Sequence, residues 1–277
     1  MGSFHFVPVI RSPTEAFDPV GRCIYCGAVG VPLTDEHIIP DGIGGHLVLP
    51  QASCGTCQDK IRPIEALVIN SNFGLIRWAS GLKSKKRRGK NQKRPTTYRT
   101  RTQENAEVEK PIHARMPATM LTFCFDDGSA TLLTGRDPKD SKLVPSMTLS
   151  RLRRHDPDWI TIPGPVRVDY FLRFLAKIAH AYACAIYGPT AFQHRLNTYI
   201  IDGLLDEDPH HFIGNRLDRA GKLKNTLHSL DGQRASVDTV IPPFASLVPK
   251  EWVVVQIHLF ATESRTQAYE VVVGEWL

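Results

Sequence analysis

Two cysteine pairs, Cys23-Ile-Tyr-Cys26 and Cys54-Gly-Thr-Cys57, flank a stretch in which an acid stands directly before a histidine, Glu36-His37. Each C-x-x-C sets two thiols on one tight turn. Two such turns brought together supply four soft ligands in the tetrahedron that Zn²⁺ accepts. Four thiolates fill the shell and leave no position for water or substrate, so the ion expected here is structural. Its binding free energy would help fold a segment short of apolar residues. The pair between the cysteines suits different work. A neutral imidazole, with an ordinary pKa of about 6.5, can take a proton from water near neutral pH. A carboxylate is a ligand for a hard cation such as Mg²⁺. An acid beside a histidine is usually only a surface turn, so the weight of this pair depends on the elements that hold it.

Those elements can be read from the same stretch. "LTDEHIIP" is β-prone around the histidine, "DGIGG" makes a loop, and "HLVLP" returns as a second strand. Ile61, Ile64, Leu67 and Val68 recur at helical spacing after Cys57, with Pro63 among them, so a helix is expected at the second cysteine turn. The order is strand, loop, strand, helix, with a metal pinning its two ends. On a strand, Glu36 and His37 project to opposite sides.

Cys23, Cys26, Glu36, His37, Pro40, Gly44, Gly45, Ala52, Ser53, Cys54 and Cys57 together resemble the HNH endonucleases of the ββα-metal (His-Me finger) superfamily, in the bacterial four-cysteine zinc subtype. The resemblance covers roughly residues 21 to 65. It implies a metal-dependent nuclease that hydrolyses DNA phosphodiester bonds, in a setting such as phage defence or restriction. By the same resemblance His37 is the general base and Glu36 a ligand of a catalytic Mg²⁺ or Mn²⁺. The family's second protein ligand follows the last zinc cysteine as Asn or His; Gln58 stands there, one methylene longer, with Asp59 as a substitute. Gln51 is the nearest counterpart of a residue that orients the base. His46, in the loop, reads as a solvated histidine or a phosphate contact. The alternative is a non-catalytic zinc-finger module that binds nucleic acid through a degenerate site.

The remaining sequence indicates an α+β protein, with an N-terminal extension over 1–20, the zinc module over 21–75, a basic linker or arm over 76–105 and a mixed α+β C-terminal domain over 106–277. The net charge of +6 is local: Lys83, Lys85, Lys86, Arg87, Arg88, Lys90, Lys93 and Arg94 lie in twelve residues without an acid, and without them the chain would carry −2. Such a run neutralises phosphates without reading bases, so the expected partner is nucleic acid, with DNA first, and a homodimer is left open. No stretch reads as a membrane span or a leader, which gives a cytoplasmic expectation with no membrane partner. In the second half, a hairpin is expected around Asp126-Asp127-Gly128-Ser129, a helix over 171–186 ended by Gly188-Pro189, and strands at Trp252 to Phe260 and Ala268 to Val273. Arg173, Lys177, His180 and Cys184 form a polar stripe on that helix, read as an exposed face, with a phosphate-contacting or site-supporting role as the alternative. Cys124 and Cys184 read as small buried hydrophobes.

Overall fold

The computed structural model describes residues 15–74, 77, 97–101, 107–111, 118–126, 128–140, 142–150, 167–215, 235–239, 252–259 and 268–277. The basic run from Lys83 to Arg94 lies outside the described residues.

The β-prone stretches around the Glu36-His37 pair form strands as expected. β1 (Glu15–Ala16) lies parallel to β3 (Leu47–Cys54), and β2 (Leu33–His37) runs antiparallel along the other edge of β3, in the order β1-β3-β2. The connection from β2 to β3 makes a 3-10 turn at Asp41–Ile43 and then needs two glycines for two reasons. Gly44 takes φ 88°, a left-handed conformation that costs glycine little. At Gly45 a side chain has no room, because a Cβ there would stand 1.9 Å from the Ile39 carbonyl oxygen.

β3 runs straight into α1 (Gly55–Ser71), with Cys54 as its N-cap. Ile61, Ile64, Val68 and Ile69 are the buried face of α1; Pro63 is exposed, so its missing N–H falls on the solvent side.

Further along, β4 (Thr97–Arg101) pairs with β5 (Glu107–Pro111), and β6 (Ala118–Phe125) pairs with β7 (Leu143–Ser150). The hairpin expected at Asp126–Ser129 does not form: Phe125 pairs with Leu143, and the second β-prone run becomes a single helical turn, α2 (Thr131–Thr134). Tertiary contact decides this. β9 (Ile213–Asn215) presses its backbone on residues 128 to 130, so closely that a Cβ on Gly214 would lie 2.0 Å from the Ala130 nitrogen. The Asn215 N–H donates to the Gly128 carbonyl at 2.8 Å. The chain there abuts β9 and cannot turn back on β6.

α3 (Val168–Tyr187) contains the expected helix, and the Gly188 N–H closes it on the Cys184 carbonyl. After it come β8 (Phe192–His194), α4 (Asn197–Asp202) and β9, then β10 (Ala235–Thr239), β11 (Trp252–Leu259) and β12 (Ala268–Trp276). The last two are the expected C-terminal strands, with β12 extending three residues beyond Val273. They form an antiparallel sheet in the order β10-β11-β12-β8, with β9 on another part of β12.

Every residue from Phe171 to Cys184 is buried, because α3 is packed between α1 and the β11–β12 sheet. The polar stripe of Arg173, Lys177, His180 and Cys184 is therefore not an exposed face. Lys177 and His180 turn toward the N-terminal elements and Arg173 donates to the Ile200 and Ile201 carbonyls of α4, while one apolar core runs from Ile24 and Ile38 through Phe73 and Phe171 to Val271. Among the described residues no helix is long and apolar enough to cross a membrane.

Candidate functional site

The four cysteines of the two pairs come together: their sulfurs all lie within 4.8 Å of one another, with Cys26 Sγ 3.7 Å from Cys54 Sγ. The first pair is shaped by its own backbone. Cys23 N–H donates to Ala28 O at 2.9 Å, Gly27 N–H donates to Cys23 O at 2.8 Å, and Gly27 takes φ 75°. Ile24 N–H, donating to Ala52 O at 2.8 Å, ties this turn to β3 just before the second pair. The thiols differ in ease of ionisation. Burial and the neighbouring sulfurs push Cys57 up. At Cys54 burial opposes ionisation, but the Cys57 N–H and the other thiols outweigh it and bring its pKa below the ordinary thiol value. Cys54 caps a helix, where a thiolate is favoured. This cluster can hold a structural zinc ion.

Glu36 and His37 diverge as strand neighbours must, and the divergence takes Glu36 inward. The carboxylate is buried, with Lys177 Nζ from α3 on its Oε1 at 2.6 Å and the same ammonium on Glu65 Oε1 at 2.8 Å. The buried Tyr25 side chain is beside Glu36 as well and favours its charged form. Burial pushes the Glu36 carboxyl above its ordinary value, with Lys177 opposing and Glu65 adding to the rise. Burial alone would lower Lys177, but the two carboxylates hold it above its usual range. Lys177 also donates to the backbone carbonyls of His37 and of Ile38, the latter at 3.3 Å. One ammonium on a distant helix thus clamps the end of the strand that carries His37, whose ring is half-buried.

The other sequence-selected residues sit around the opposite face of that strand. Between Thr34 and Glu36 the ladder is irregular: Thr34 faces Ser53 and Glu36 faces Leu49, so Asp35 meets three residues of β3. Gln51 is in that bulge at φ 49°, and its N–H donates to Asp35 Oδ1 at 3.3 Å. The Gln51 side chain is exposed. Gln58, on the first turn of α1, reaches β2: its Nε2 donates to Asp35 O at 3.3 Å. Its Oε1 accepts from Arg62 Nη2 at 2.6 Å, and Arg62 also holds Asp59 Oδ1 at 3.1 Å. His46 is half-buried at the start of the return to β3.

The structure therefore brings Gln58, Gln51 and Asp35 to the strand that bears His37, and places Glu36 behind it in a polar core. Among the described residues, Glu36 belongs to neither of the two clusters whose His, Cys, Asp or Glu ligand atoms converge on a common point. Glu65, Tyr25 and Arg62 are the residues a motif reading misses. Lys177 had a visible signal, as one of several polar residues spaced along a helix otherwise apolar throughout.

No protein-family model, no curated protein and no solved structure matches the chain. The reading of function rests on the residues themselves.

Proposed function

We propose that this chain is a metal-dependent endonuclease of the HNH type, cutting DNA phosphodiester bonds with His37 as general base. The observation that carries the reading is the strand-turn-strand-helix unit of β2, β3 and α1, tied by four cysteines, with His37 closing β2 and Gln58 of α1 leaning on the same strand. A zinc ion on Cys23, Cys26, Cys54 and Cys57 fixes the unit, and zinc is the ion that four thiolates favour.

A catalytic Mg²⁺ or Mn²⁺, when bound, supplies charge for the phosphate and the departing oxygen. Gln58 Oε1 and Asp59 are oxygen donors at the surface of the unit, and both are now held by Arg62. Glu36 joins them only by exchanging the Lys177 ammonium for the ion. The His37 imidazole takes the proton of the attacking water, while Lys177 keeps the backbone at His37 and Ile38 in place. The basic run from Lys83 to Arg94 supplies phosphate contacts without sequence information.

A second reading has its own observation. Glu36 is already paired with the Lys177 ammonium, and Gln58 Oε1 already accepts from Arg62, as expected of a module that binds nucleic acid without cutting it. The two are separated by incubating the protein with supercoiled plasmid and Mg²⁺, Mn²⁺ or EDTA. Divalent-dependent nicking that falls roughly 10²–10⁴-fold in His37→Ala is the result expected of the nuclease. Binding without cleavage by wild type supports the second reading, and cleavage gained by Gln58→Asn marks it as a lapsed nuclease. Cleavage unchanged in His37→Ala removes the motif from the chemistry altogether.

A further inference from the structure

The polar stripe of α3 ends in a second group of metal-ligand side chains. His180 and Cys184 lie one helical turn apart on α3, and His194 comes to them from β8, so that one ligand atom of each is within 4.8 Å of the other two. The thiol sulfur also lies 3.6 Å from His180 Nε2, which places the ring beside it.

The hydrogen bonds of the two rings are those of metal-bound histidines. His180 Nε2–H donates to Ile24 O at 2.9 Å, and His194 Nε2–H donates to Pro189 O at 2.6 Å. Each carbonyl needs a hydrogen, so each ring keeps its lone pair on Nδ1, and both Nδ1 atoms are buried without a hydrogen-bond partner. A metal-ligating imidazole almost always donates its other N–H to a carbonyl or carboxylate in this way. Two unsatisfied lone pairs in a core are costly unless something accepts them. The neighbourhood supports the rings. Phe192 stacks on His194 at 4.6 Å between centroids, and β8 approaches β12 so closely that a Cβ on Gly274 would lie 2.1 Å from Gln193 O.

We propose that His180, Cys184 and His194 form a second metal site, for a divalent transition ion of zinc's character, independent of the four-cysteine cluster. Two imidazoles and one thiolate suit a borderline ion better than Mg²⁺ or Ca²⁺. Binding replaces the Cys184 S–H bond by a sulfur–metal bond and releases the proton to solvent. His180 and Cys184 are buried and His194 is half-buried, so the three side chains supply three ligands and leave the fourth position to a non-protein group. Because His180 also holds Ile24, between Cys23 and Cys26, the ion would join α3 and β8 to the turn of the first metal site.

The test is a count. Reduced full-length protein, stripped of metal, is titrated with Co²⁺ and then with Zn²⁺, and bound equivalents are read by absorption and elemental analysis. Wild type should take up two equivalents, with two distinguishable Co²⁺ spectra, one of them from a site with a single thiolate. Cys184→Ala and His194→Gln should each bind one equivalent and keep the four-thiolate spectrum, which also shows that the variants are folded. One equivalent in wild type overturns the proposal, as do two equivalents retained in both variants. Neither result depends on whether the protein cleaves DNA.

Discussion

Lys177 is the residue on which most depends. Its ammonium serves the buried Glu36 carboxylate, the half-buried Glu65 carboxylate and two strand carbonyls at once, so removing it leaves Glu36 in the interior with no counter-ion. Breaking a buried pair from one side costs about 3–5 kcal/mol, because the surviving charge stays desolvated. Lys177→Met should lower the unfolding free energy by about that amount in a denaturant titration, and adding Glu36→Gln should recover part of it. The pH dependence has a definite sign. Lys177 titrates higher in the folded than in the unfolded chain, so its contribution is complete below about pH 10.4 and is lost as pH rises through the folded value. Wild type should therefore lose stability at alkaline pH more steeply than Lys177→Met. Equal slopes would show that the ammonium is not held as described.

Among the elements, the β2–β3 ribbon separates what a sequence can tell from what it cannot. The four thiols, the Glu36-His37 strand, the Gly44-Gly45 loop and the start of α1 were all legible, because each depends on residue type at short spacing. The bulge at Asp35 was not. Nothing local marks Gln51 for φ 49°, a conformation imposed by fitting three residues of β3 against one of β2. Nor was the inward turn of Glu36 legible, since its partner lies far along the chain on α3. The second strand expected after Gly128 failed for a similar reason, a distant backbone taking its place. Two substitutions distinguish these sources of shape. Gly45→Ala meets a backbone oxygen and should destabilise by about 3 kcal/mol, as overpacking does. Gln51→Gly relieves a left-handed residue whose side chain is exposed, and should stabilise by up to about 1 kcal/mol. Chemical denaturation of both variants checks the opposite signs.

At the scale of the whole molecule, the N-terminal module and the C-terminal elements share one apolar core through α3, and Lys177 and His180 reach across it with side-chain hydrogen bonds. Stripping the metal from the four-cysteine cluster should therefore destabilise more than residues 21 to 65. We expect a single cooperative thermal transition that moves to lower temperature as a whole when a strong chelator is added, followed by calorimetry. A chelator-sensitive transition separate from an unmoved second one would show that α3 does not couple them.

The reach of Lys177 also sets a schedule for synthesis. The His37 carbonyl and the ammonium that holds it are 140 residues apart. At a ribosomal rate of about 5–20 residues per second, roughly 7 to 28 seconds pass between the two being made. During that interval the strand bearing His37 emerges with Glu36 lacking its lysine, whatever metal the cysteines have already captured. The nascent chain completes this corner of the molecule only after α3 has cleared the exit tunnel, so a chain stalled before residue 177 presents the motif without the geometry.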